Sequence, residues 1–254
     1  MTGTAGAFHP TGATPDHPVA LTAHLDPGLS RWKWLVKWFL AIPHYLILVF
    51  LWPAFLVVTV IAWFCILFTG RYPRALFDFT SGVLRWSWRV SYYASNGGIG
   101  TDQYPPFTLG SAPKYPATLE IAYPQRLSRG LVLVKSWLLA IPQYLIIGLL
   151  VSNWWGWTPA GERFAVGPVG SGGLLGLLLV ITALILLFTA KYPQQLFALI
   201  IGFNRWIYRV IAYAALMTDQ YPPFRLDQGG SEPARPLPPT VGPAIPPQPA
   251  TTGS

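Results

Sequence analysis

The sequence predicts an all-α integral membrane protein made of a tandem duplicated unit. Each unit is a hydrophobic helical hairpin plus an interfacial amphipathic helix, with short extended segments between them. Three observations carry this prediction: a composition too apolar for water, long stretches without an ionisable residue, and an ordered set of motifs that occurs twice. Of 254 residues, 52% are hydrophobic and 10% charged, with 12 Trp, 12 Tyr and 14 Phe; mean hydropathy is +0.42. Ordinary soluble domains carry about 25% charged residues, so the composition argues against a water-soluble enzyme. Seventeen basic residues against nine acidic ones leave a net charge of +8. Because the bases lie scattered between apolar segments, they suit a membrane surface and not a nucleic acid.

Taken in chain order, residues 1–18 read as a flexible segment of Gly, Thr, Ala, His and Pro, with neither the basic start nor the apolar core of a cleaved secretory signal. Val19–His24 reads as a short extended segment. Residues 38–70 then contain no Asp, Glu, Lys or Arg. A straight helix of that length would reach roughly 50 Å, against a hydrocarbon core of about 30 Å. The chain is therefore expected either to leave part of this run in the interface or to turn back near Trp52–Pro53, where the proline lacks an N–H. The only cysteine, Cys65, lies in this run and excludes an intramolecular disulfide framework.

A second extended segment is expected at Thr118–Tyr123. Beyond it, residues 136–161 and 164–190 are again free of charge and are joined by NWWGWTPAGERFAVGPVGSGG, so they read as two legs. This stretch is about twenty residues longer than its counterpart in the first unit, and it reads as a tolerated surface insertion. Arg31, Lys33 and Lys37 precede the first apolar block and Arg71, Arg74, Arg85 and Arg89 follow it; Arg126, Arg129 and Lys135 precede the second, and Lys191, Arg205 and Arg209 follow. Arg163 is the only base between the later legs. The positive-inside tendency thus predicts an even number of crossings, most simply four, in a multi-pass cell-membrane protein with both termini cytoplasmic.

The repetition is explicit. LSRWKWLVKWFLAIPHYLI at 29–47 matches LSRGLVLVKSWLLAIPQYLI at 127–146 with one inserted residue, LFTGRYPRALF at 67–77 matches LFTAKYPQQLF at 187–197, RWSWRV at 85–90 matches RWIYRV at 205–210, and TDQYPPF occurs identically at 101–107 and 218–224. The units span 19–110 and 117–227. They would share one topology and pack about a pseudo-twofold along the membrane normal. The tail, 228–254, is rich in proline and reads as disordered.

Candidate functional residues follow from the repeated motifs. Arg85 and Arg89 lie four apart on one helix face, as do Arg205 and Arg209, interleaved with Trp86, Trp88, Tyr92, Tyr93, Trp206, Tyr208 and Tyr213. That pattern suits an interfacial anchor whose guanidinium groups contact lipid headgroups or a protein partner. In TDQYPPF, Asp102, Tyr104, Pro105 and Pro106 and their matches Asp219, Tyr221, Pro222 and Pro223 form a stiff structural turn, whose aspartates are expected to pair with arginines of their own unit. His44 has Gln143 as its counterpart, which argues against a symmetric metal ligand. The sequence contains no GxxxxGK, GxGxxG after a strand, HExxH or GxSxG. No catalytic residue, metal or cofactor is assigned.

The ordered set LSR, AIP-[HQ]-Y, LFT-x-[RK]-YP, RW-x-x-RV and TDQYPPF resembles an actinobacterial membrane family, domain of unknown function 4389 (DUF4389), over roughly residues 19–227. Positions matching the family pattern are Arg31, Pro43, His44, Tyr72, Pro73, Arg85, Arg89, Asp102, Tyr104, Pro105 and Pro106, then Arg129, Pro142, Tyr192, Pro193, Arg205, Arg209, Asp219, Tyr221, Pro222 and Pro223. The resemblance implies a membrane protein and no chemistry. The expected function is a non-enzymatic scaffold organising lipids, including anionic ones, or a protein partner or second copy of itself, with no nucleic acid. A small-molecule transporter or accessory subunit is the first alternative, and a membrane-embedded enzyme the second.

Overall fold

The alternation VALTA gives β1 (Val19–Ala23) and ATLEI gives β2 (Ala117–Ile121), each with its odd-numbered side chains buried. In the computed structural model, which describes residues 17–151, 173–189 and 191–231, the two strands pair antiparallel with Leu21 opposite Leu119. Among the described residues all other regular structure is helical. The Gly/Pro/Trp connection with Arg163, residues 1–16 and the tail from 232 lie outside the described residues.

After a short α1 (Trp34–Leu40), α2 runs without a break from Ile42 to Thr69. This corrects the expected reversal at Trp52–Pro53. The segment Ile42–Thr69 contains no Gly, Asn, Asp or Ser to make a turn, and an interior proline removes one helical hydrogen bond without forcing the chain to reverse. At 28 residues the helix is about 42 Å long. The chain turns at Gly70, which takes the left-handed φ of 69° and donates its N–H to Ile66 O at 2.7 Å. Pro73 then caps α3 (Arg74–Ala94). The hairpin of the first half is therefore α2 against α3. Its seam on α2 is the stripe His44, Leu48, Phe55, Ala62 and Ile66.

The second half is built with different lengths. Ser128 caps α4 (Arg129–Val134), and its hydroxyl accepts the Leu131 N–H. A π-helical turn, Lys135–Leu139, follows, then α5 (Ile141–Val151), α6 (Leu174–Thr189) and α7 (Gln194–Ala214). The π turn is where the inserted residue of 127–146 goes: the interval from Lys37 to Ala41 has one residue fewer than that from Lys135 to Ala140. A π turn absorbs one residue without changing the registers on either side.

The core lies between α3, α7 and the sheet. Trp88 is fully buried, with its ring 5.6 Å from Tyr92 and 5.5 Å from Tyr208. Tyr92 faces Phe197 at 6.5 Å, so aromatic rings of the two helices meet across the core. The strands are exchanged: β1 packs on α7, and β2 on α3. Each helix thus completes its packing with the strand that opens the other half.

The same spacing yields different surroundings at Gly82 and Gly202, each three residues before an arginine. A Cβ at Gly82 would lie 2.8 Å from Leu109 Cβ and 3.0 Å from Leu109 O, whereas at Gly202 the nearest atom is 3.4 Å away. We expect Gly82→Ala to lower the melting temperature in detergent and Gly202→Ala to leave it unchanged or raise it, since Ala gains about 1 kcal/mol over Gly in a helix. Equal effects at both positions would contradict the close crossing at Leu109.

Candidate functional site

The four arginines of the repeated helix are structural clamps. Arg85 Nε donates to Leu119 O at 3.1 Å and Arg85 Nη2 to Glu120 at 3.2 Å. Arg205 donates from Nε and Nη2 to Leu21 O at 3.1 and 3.0 Å. Each therefore caps a strand that pairs with the other. Arg205 also reaches Asp227 O and, at 3.0 Å each, Gly229 O and Ser231 O. Arg89 donates to Gly110 O at 3.0 Å and to Thr108 O, while Arg209 pairs with Asp227 at 2.6 Å. Arg89, Arg205 and Arg209 are 2%, 0% and 0% exposed. The expected headgroup contact is thus not how these three are placed: their guanidinium groups tie down the segments that follow the two TDQYPPF turns.

The turns are held from the leading helices. Asp102 receives Ser30 N–H at 2.9 Å and pairs with Lys37 Nζ at 2.8 Å and Lys33 at 3.5 Å. Asp219 receives Ser128 N–H at 2.7 Å and pairs with Lys135 Nζ at 2.7 Å. The partners are lysines, not the arginines expected, because every arginine of the motif helix is engaged by backbone carbonyls or other acids. Lys37 also donates to Thr101 O at 2.7 Å. Lys37 and Lys135 are nearly fully buried and stand over the rings of Tyr93 and Tyr213, at 5.5 and 5.0 Å. They are the residues that sequence reasoning passed over, although the tripeptide LVK at 35–37 and 133–135 marked both.

The aromatic members close each turn onto its hairpin. His44 Nδ1 accepts from Trp86 Nε1 at 3.0 Å, and the imidazole stacks on Phe107 with centroids 4.0 Å apart. Tyr104 donates to Leu40 O at 3.1 Å. Pro105 and Pro222 are buried, Pro106 and Pro223 half-buried. In the second half Gln143 replaces the histidine and donates to Pro222 O at 3.1 Å. Tyr221 sits 5.4 Å from Tyr213 and 5.9 Å from Phe224. The smaller side chain leaves Trp206 Nε1 and Gln143 Oε1 buried without a partner, beside a cavity of about 200 Å³ lined by Ile146, Phe203, Trp206 and Phe224. We expect His44→Ala to cost about 2–4 kcal/mol, as a cavity plus an unpaired indole N–H. A melting-temperature change no larger than that of Gln143→Ala would contradict this.

These geometries coincide with a family assignment. The family model for "Domain of unknown function (DUF4389)" matches residues 31–108 and 171–225, just over half of the chain. The chain belongs to this family. Both matched stretches end one residue beyond a TDQYPPF turn, so the matched residues include the aspartate of the turn and the arginine helix of each half. No curated protein and no solved structure matches the chain. Among the described residues no group of three or more His, Cys, Asp or Glu is placed to hold a metal ion.

Burial would push the Asp102 carboxyl up, but the hydrogen bonds from Lys37 and Ser30 and the charges of Lys37 and Lys33 outweigh it and hold the group below its usual value of 3.8. The carboxylate therefore stabilises the fold fully above pH 3.8, and that contribution disappears as pH falls through the lower folded value. Burial lowers Lys37 from its usual 10.5, against the opposing pull of Asp102. The expected result is that the melting-temperature gap between wild type and Asp102→Asn is constant from pH 5 to 7 and narrows only at about pH 3.8 and below. A gap that closes near neutrality would contradict the pairing.

Proposed function

We propose that the chain is a multi-pass cell-membrane protein made of two copies of one unit, and that it acts without catalysis as a scaffold for lipids or for a protein partner. The observation that carries this reading is the outer face of α2. The helix is long and apolar enough to cross a membrane, yet only 17% of its most apolar stretch is covered by the rest of the chain. Phe50 and Phe68 are 76% and 73% exposed, in a continuous apolar surface with Val49, Leu56, Val57, Val60 and Phe64. Soluble monomers rarely expose contiguous apolar patches beyond about 600 Å². α7 also has the length and composition of a span, but 67% of it is covered, which suits a helix at the centre of the bundle.

Two further features support the duplicated unit: the matched pairs Lys37–Asp102 and Lys135–Asp219, and the matched carbonyl clamps of Arg85 and Arg205. Both termini are assigned to the cytoplasmic side on the bases ahead of α2, Arg31, Lys33 and Lys37, since the unbroken helix puts Arg71 and Arg74 at its other end. The reading is tested by washing membranes that contain the full chain at alkaline pH, and by labelling single cysteines at Gln103 and at Arg71 from either side. Retention in the membrane pellet, with Gln103 labelled only from the cytoplasmic side, is expected. Release of the chain into the wash would end the membrane reading, and labelling of Gln103 from outside would reverse the orientation.

A further inference from the structure

We infer that the hollow at the tip of the α2–α3 turn is a binding site for a phosphate-bearing anion, supplied in a membrane by the headgroup of an anionic phospholipid. The inference rests on the membrane reading above and gives it a ligand. The hollow has a volume of about 410 Å³ and is lined by Thr69, Gly70, Arg71, Arg126, Leu127 and Arg129. Its frame is fixed by backbone hydrogen bonds, since Leu127 N–H donates to Gly70 O at 3.0 Å and Gly70 N–H to Ile66 O at 2.7 Å. It therefore joins the end of the first hairpin to the start of the second half. Gly70 sits at its rim with the left-handed φ of 69° that the turn requires, and Arg129 Nε lies against it.

Its three arginines differ from the motif arginines of α3 and α7. Arg85, Arg89, Arg205 and Arg209 spend their guanidinium groups on carbonyls and carboxylates inside the chain. Arg71, Arg126 and Arg129 are exposed, and among the described residues none of the three meets a carboxylate within 4.0 Å. Three positive charges thus converge on one hollow without neutralisation. A guanidinium offers paired N–H donors that match two phosphate oxygens, so an anion of that geometry is the complementary ligand. The adjoining last turns of α2 expose Phe64 and Phe68, which puts an apolar surface beside the charged one, as a phospholipid's acyl chains and headgroup require.

The test uses the full chain in an uncharged detergent, with phosphatidylglycerol, phosphatidylcholine and inorganic pyrophosphate as probes, and binding read by the quench of tryptophan fluorescence from brominated lipid. Saturable binding of phosphatidylglycerol over phosphatidylcholine is expected. The variant R71Q/R126Q/R129Q should weaken it at least about tenfold, since each base near an anionic surface contributes about 1 kcal/mol. A charge-matched control, R31Q/K114Q/K191Q, should stay within about twofold. Among the described residues Arg71, Arg126 and Arg129 make no ion pair, so the triple variant should melt as the wild type does; should it not, the single variants R71Q and R126Q carry the same comparison. Displacement of the lipid by pyrophosphate from wild type would assign the site to soluble phosphates, and resistance to displacement would assign it to the headgroup. Undiminished binding by the triple variant, or equal loss in the control, would overturn the site. Failure of the membrane reading is seen separately, as release of the wild-type chain by the alkaline wash.

Discussion

Arg205→Ala is expected to abolish a stable fold, whereas Arg85→Ala at the matching position should cost only about 1 kcal/mol. Arg205 is completely buried and supplies donors to Leu21 O, Asp227 O, Gly229 O and Ser231 O. It joins the outer edge of β1, the helix α7 and the segment after the second TDQYPPF turn. Truncation would strand several acceptors at once, at about 1–3 kcal/mol each, within a total stability of only about 5–15 kcal/mol. Arg85 faces the corresponding Leu119 O, but its ion-pair partner Glu120 is 60% exposed, so water can replace the lost donor. Size-exclusion profiles and melting curves of the detergent-solubilised variants make the comparison. A monodisperse Arg205→Ala protein that melts close to wild type would refute the clamp.

The second large effect belongs to the Lys37–Asp102 pair. Lys37→Met would leave Asp102 with only Ser30 N–H and the exposed Lys33. Asp102→Asn would leave a buried ammonium without its counter-charge, with only Thr101 O and a neutral amide oxygen as acceptors. Breaking a buried pair by removing one member costs about 3–5 kcal/mol, whereas replacing both with groups of similar volume is often near neutral. We therefore expect each single variant to lose several kcal/mol and the double variant Lys37→Met/Asp102→Asn to lose clearly less than the sum. Denaturation of all four proteins in one detergent gives the coupling energy. Strict additivity would show that the lysine and the aspartate act independently.

Much of the helical architecture was legible in the sequence because it depends on local pattern. The apolar run before Gly70, the proline caps at Pro73 and Pro193, and the alternation in VALTA and ATLEI each specify an element from neighbouring residues. Pro53 was misleading as a turn because the penalty for one missing hydrogen bond says nothing about the packing gained on both sides of it. On α2 that packing extends from His44 to Ile66, and it keeps the helix whole. The inserted residue after Lys135 was visible, but its absorption by a π turn was not, since the turn is fixed by keeping Lys135 on Asp219 and Ala140 in the core.

The candidate site divides in the same way. The sequence by itself determined which residues recur: the TDQYPPF aspartates, the paired arginines, and the lysines of LVK. It also determined a composition of 52% hydrophobic and 10% charged residues, well below the charge of an ordinary soluble domain. Only the tertiary structure decided which charge meets which. Asp102 reaches back to Lys37, and Arg205 to Leu21, across separations no local spacing encodes. Burial makes those choices costly to leave unmade, so the guanidinium groups near the exchanged strands turn inward. Arg71, Arg126 and Arg129 line the hollow at the α2–α3 turn and stay exposed.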